Sequence, residues 1–141
     1  MAAFVDTNIL LYALSAANSL EVEKVVTAQR LVADLTAQTN LCLSAQVLSE
    51  FVTNAIRKGT PPLPLKEASK IVDELSRETV IPIDASLVQL AVERVQQSRI
   101  SYWDALIVEA AIRSGATILY TEDMHPGTRY GTLELRNPFV P

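Results

Sequence analysis

Four short apolar runs punctuate this chain: Ala2–Val5, Leu41–Leu43, Val80–Ile83 and Thr117–Tyr120. Between them lie longer segments with helical spacing of apolar residues. The first run sits too near the start to form a useful helix, and each of the others is bounded by polar or turn residues, so all four read as buried strands. The helical segments run from Ile9 to Leu14, Leu20 to Thr36, Ser44 through Ala55, Lys66 to Ser76, Ala85 to Gln97 and Ser101 to about Gly115. Strands that alternate with helices build βαβ units, whose strands lie parallel with helices over both faces. The expectation is therefore an α/β fold, a three-layer α/β/α sandwich around a parallel sheet of four to five strands, with Leu133–Leu135 as the last. Pro82 places its strand at an edge or a strand end. Gly59 and three prolines behind it, Pro61, Pro62 and Pro64, mark the clearest loop.

A core for such a sandwich needs apolar mass. Of the 141 residues 49% are hydrophobic, which suits one domain spanning 1–141. Only 20% are charged and four are glycine, a composition unlike that of disordered chains. No apolar run approaches a membrane span, and Lys24 and Arg30 come too late for a signal peptide. Cys42, the lone cysteine, has no internal disulfide partner and reads as a buried thiol. A cytoplasmic protein is the expectation.

The acids carry the chemistry. Asp104, Ile107, Val108 and Ala111 share one helical face, opposite Glu109 and Arg113, so Asp104 stands where an apolar residue is expected. Two roles fit it. Ser101 and Asp104 have the spacing of a capping box, in which the carboxylate reaches back to the Ser101 amide. Alternatively, Asp104 turns toward other acids at the carboxyl ends of the strands, where open parallel sheets place their ligand crevice. Asp6 ends the first strand and Asp123 follows the fourth. Glu50 lies in the second turn of the helix leaving strand two, off its apolar stripe. Four carboxylates drawn together repel one another unless cations lie between them, and all-oxygen donors favour Mg²⁺ or Mn²⁺ over zinc. Such ions orient a phosphodiester, lower the pKa of a bound water and stabilise the leaving oxygen. A net charge of −4 does not oppose an anionic substrate, because bound cations restore positive charge locally.

Phe4-Val5-Asp6-Thr7-Asn8, Leu48-Ser49-Glu50-Phe51, Tyr102 to Ile107 and Tyr120-Thr121-Glu122-Asp123 together resemble the PIN-domain ribonucleases found as toxins in VapBC toxin–antitoxin pairs. The resemblance spans nearly the whole chain. It implies a parallel sheet between helices, a Mg²⁺ or Mn²⁺ site, RNA as substrate, a homodimer and a small antitoxin partner. Asp6, Glu50, Asp104 and Asp123 match the acidic quartet, Asn8 the polar residue beside the first acid, and Thr121 the hydroxyl residue before the last. Glu122 competes with Asp123, which the T-x-D spacing favours.

Around this core of acids the remaining candidates are simpler. Arg57 and Lys58, with Lys66 and Lys70, flank the proline loop and either contact phosphates or form a solvated basic face. Asp84 reads as a helix N-cap and His125 as a loop residue. Trp103 and Tyr102 read as packing or dimer-contact residues in preference to base-stacking ones. With one histidine in a turn there is no Ser-His-Asp arrangement. Two alternatives stand beside the nuclease: a Mg²⁺-dependent phosphohydrolase of the haloacid-dehalogenase type, which wants an aspartate where Asn8 lies, and a non-catalytic PIN-like binding module.

Overall fold

The computed structural model describes residues 1–14, 21–58 (Lys58 by its backbone) and 61–140. The expected helix start at Leu20 and the helix-ending Gly59 lie outside these. The chain runs β1 (Ala3–Val5), α1 (Thr7–Leu14), α2 (Val22–Ala37), β2 (Leu41–Ser44), α3 (Ala45–Lys58) and α4 (Leu65–Leu75). It continues through β3 (Thr79–Ile81), α5 (Ala85–Ser98), α6 (Tyr102–Arg113), β4 (Ile118–Tyr120), β5 (Arg129–Tyr130) and β6 (Leu133–Arg136).

The six strands form one sheet in the order β3-β2-β1-β4-β6-β5. Only the β5–β6 pair is antiparallel. β1 lies centrally, with Ala3 opposite both Leu41 and Ile118. All three of its residues are buried, as a strand covered on both faces requires. The chain first moves from β1 to β2 and β3 on one side, then crosses to β4 on the other. Right-handed crossovers put α1 to α4 on one face and α5 with α6 on the opposite face. Packing follows that division: α1 meets α2 and α3, α3 meets α4, and α5 meets α6. Phe4, Ile9, Leu10, Leu43, Phe51, Leu106 and Leu119 fill the core.

Three local expectations hold. Ser44 accepts the Val47 N–H at 3.2 Å, starting α3. Asp84 accepts the Leu87 N–H at 2.8 Å, capping α5. The strand containing Pro82 stops at Ile81, on the sheet edge. Two features differ. A sixth strand, β5, arises because Gly131 (φ +63°) lets Tyr130 fold back beside Leu133. A two-residue strand has no periodicity to announce it.

The other difference concerns α6. Glu109 is buried, not on a solvated side; every residue from Ala105 to Ala111 is. The helix is wedged between the sheet and α5, so it has no fully exposed face along that length. Arg94 on α5 answers the buried charge: its Nε lies 2.9 Å from Glu109 Oε1, and its guanidinium lies over the Tyr130 ring. At the far end of the same helix pair, Arg113 grips both oxygens of Asp84 at 3.0 and 3.1 Å. Those contacts, with the capped N–H, hold the Asp84 carboxyl below its ordinary range.

Candidate functional site

The strand order reverses between β1 and β4, and at that point a crevice opens beyond the carboxyl ends of the strands. Asp6 is the first residue past β1. Its N–H donates to the Tyr120 carbonyl at 3.0 Å, extending the ladder by one step and fixing the residue at the crevice floor. The carboxylate is held by two donors: the Thr7 N–H on Oδ1 at 2.7 Å and the Thr121 hydroxyl on Oδ2 at 2.8 Å. Thr121 is fully buried, and its oxygen also accepts the Asp123 N–H at 3.3 Å. One hydroxyl thus ties the first acid to the last.

Asn8, the second residue of α1, donates to Asp123 Oδ2 at 2.6 Å. The Thr7 hydroxyl donates to Glu50 Oε1 at 3.2 Å, bringing in the second turn of α3. Asp104 arrives from the opposite face of the sheet. Half of the expected capping box forms: Ser101 Oγ accepts the Asp104 N–H at 3.1 Å. The Asp104 carboxylate makes no return bond to the Ser101 amide and lines the cleft instead. The start of α6 is drawn in by Gln46 of α3, whose Nε2 donates to the Trp103 carbonyl at 3.2 Å.

Asp6, Thr7, Asn8, Gln46, Glu50, Asn54, Trp103, Asp104, Ile107 and Asp123 therefore line a single cleft, with Thr121 immediately behind Asp6. Arg57 is exposed further along α3 and does not line it; the Lys58 side chain lies outside the described residues. Glu122 faces away, where it accepts from Tyr12 Oη at 3.0 Å and pairs with Lys24. The Lys24 ammonium in turn sits over the Tyr12 and Phe139 rings. Adjacent residues leaving a strand point in different directions, and here the aromatic pocket takes one acid and the cleft the other.

Sequence reasoning missed Thr7, Gln46 and Asn54, and assigned Trp103 to packing. A signal existed: Gln46, Glu50 and Asn54 recur every four residues, a polar stripe along one side of the helix.

The cleft is electrostatically uncompensated. Among the described residues none of the four carboxylates has a Lys or Arg partner. Burial pushes the Asp6 carboxyl up from 3.8 to about 6, with Glu50 and Asp123 pushing the same way against the Thr7 and Thr121 hydrogen bonds. Among the described residues no three Asp, Glu, His or Cys side chains form a ready-made ligand group. Like charges without a counter-ion stand apart. The donor chemistry still fits a hard divalent cation: oxygens only, no thiol or imidazole, and spare lone pairs on each carboxylate.

The solved structures that this fold resembles share its architecture over nearly their whole length. VapC20 of Mycobacterium tuberculosis, a Sarcin-Ricin loop cleaving toxin, superposes with a TM-score of 0.64 at 22% identity, covering 86% of this chain and 90% of its own. VapBC2 of Rickettsia felis, bound to a promoter DNA fragment, gives 0.64 at 24% identity, covering 97% and 98%. The DNA-bound VapBC of Salmonella typhimurium gives 0.63 at 16%, covering 98% of each. No curated protein matches the chain significantly. The PIN-domain family model matches residues 3–125, a span that takes in all four cleft acids and both central strands, and the chain belongs to the PIN-domain family.

Proposed function

We propose that the protein is a divalent-metal-dependent endoribonuclease, the toxin of a type II toxin–antitoxin pair. The observation that carries this reading is the cleft itself: four carboxylates from four separate segments, without a basic partner among the described residues, at the switch point of a parallel sheet. Asp6, Asp104 and Asp123 would hold Mg²⁺ or Mn²⁺, with Glu50 assisting or holding a second ion. When bound, such an ion polarises the phosphodiester and makes water nucleophilic near neutral pH.

The chain's own residues set the stage for that chemistry. Thr121 and the Thr7 N–H fix the Asp6 carboxylate, and Asn8 fixes Asp123. Asn8 would also offer its amide to the substrate phosphate. Arg57, exposed outside the cleft lining, and Lys58 next to it would contact the RNA backbone. No side-chain nucleophile is called for, since Cys42 is buried in β2 and His125 lies outside the lining. The VapBC resemblance supports a small antitoxin as partner, a homodimer and action in the cytoplasm. No helix of the described residues is long and apolar enough to cross a membrane.

The test is cleavage of a structured RNA in Mn²⁺ or Mg²⁺, with p-nitrophenyl phosphate as a competing substrate. RNA is expected to be cut only when metal is present. Nitrophenol release with intact RNA would favour the phosphohydrolase. In parallel, metal at about a hundred times its dissociation constant adds about 2.7 kcal/mol to stability, read as a rise in Tm. No rise at millimolar metal, together with no cleavage, marks a non-catalytic module.

A further inference from the structure

Trp103 is the single tryptophan of the chain, and it stands on the wall of the acidic cleft with 62% of its surface exposed. An indole is large and apolar and is normally covered on at least one face. This one is held out from below. The buried Gln46 amide anchors its carbonyl at 3.2 Å, and the Tyr102 ring meets it edge to face at 5.1 Å. Because that bond fixes which end of the Gln46 amide faces Trp103, the other end, Oε1, is left buried without a donor.

We propose that Trp103 is the stacking platform for one unpaired base of single-stranded RNA. The proposal rests on the ribonuclease reading and adds to it a site for the base beside the site for the phosphate. The cleft acids are charged and cannot hold a neutral aromatic base; the indole offers a π-face that accepts any base. A base in a regular duplex is stacked on its neighbours and cannot reach such a face, so the substrate is single-stranded or looped at the cut.

Trp103 emission reports the contact without interference from any other tryptophan. Wild-type protein in Ca²⁺ is titrated with an end-labelled single-stranded RNA octamer and with an abasic octamer of equal charge, and the RNA is recovered intact on a gel. Label polarisation reports binding; tryptophan emission reports stacking. The expected result is quenching by the base-bearing octamer and none by the abasic one. Trp103→Ala, checked for fold by circular dichroism, weakens binding of the base-bearing octamer roughly 5- to 150-fold, and Trp103→Phe weakens it less. Polarisation change without quenching, or equal quenching by both octamers, overturns the platform and leaves the ribonuclease reading standing. No binding of either octamer overturns both. Conversion of a dimer to a monomer by Trp103→Ala overturns the platform in favour of a contact between two copies.

Discussion

Two carboxylates, Glu109 buried in a helix interface and Asp6 half-buried at the cleft floor, are treated in opposite ways. Glu109 is 7% exposed between α5 and α6, and the fold supplies it with Arg94 at 2.9 Å. Asp6, at the floor of the cleft, receives two hydrogen bonds and two further acids. One charge is neutralised from within the chain. The other has no Lys or Arg partner among the described residues, and its carboxyl is pushed up to about 6. Burial alone therefore does not mark a functional acid; burial without an internal cation does.

Removing the cleft charge should give the largest effect. Asp6→Asn or Asp104→Asn is expected to lower RNA cleavage roughly a thousandfold, since several kcal/mol of charge stabilisation depend on the ligand set. Stability should move the other way. The folded pKa of Asp6 lies above its unfolded value, so without metal the protein loses stability as pH rises from about 4 to about 6. Asparagine removes that loss, adding at most roughly 2–3 kcal/mol at neutral pH. Urea titrations at several pH values read it directly; a less stable metal-free Asp6→Asn would contradict the account.

Arg94→Met inverts the comparison by turning Glu109 into an unpartnered buried acid. It should cost about 3 kcal/mol of unfolding free energy, much of it recovered when Glu109→Gln is added. Metal-induced stabilisation should persist in the single variant. If that response vanished instead, the two regions would not be independent.

The smallest change is expected from Lys24→Met. Lys24 holds Glu122 away from the cleft, and with it the direction in which Asp123 points. Removing it should reduce kcat by about tenfold with KM little changed, the usual size of an effect on a supporting residue. Glu122→Gln keeps the Tyr12 contact possible and should recover part of the rate. A change confined to KM would show that Lys24 meets the substrate.

Much of the fold was readable in the residues because parallel strands and amphipathic helices write different periods. The strand ends at Val5 and Tyr120 and the caps at Ser44 and Asp84 all sit where their side chains require. The acids Asp6 and Asp123 could be placed because they follow strands. Asp104 could not be settled, since the tilt of α6 depends on a Gln46–Trp103 bond between distant segments. Glu109 was misread for a related reason: a helical wheel shows one preferred face, but not a second helix covering the reverse. Arg57 stands exposed outside the cleft lining, and its charge alone carries no direction.

The three-residue strand β1 has a consequence in time as well as in space. It is made first during synthesis, yet it can be completed as the middle of the sheet only when β4, more than a hundred residues later, pairs along its other side. Asp6 and Asp123 come from opposite ends of the matched region and are joined through Thr121. A nascent chain that has not yet delivered Thr121 and Asp123 cannot assemble the cleft, however much of its helical structure has formed.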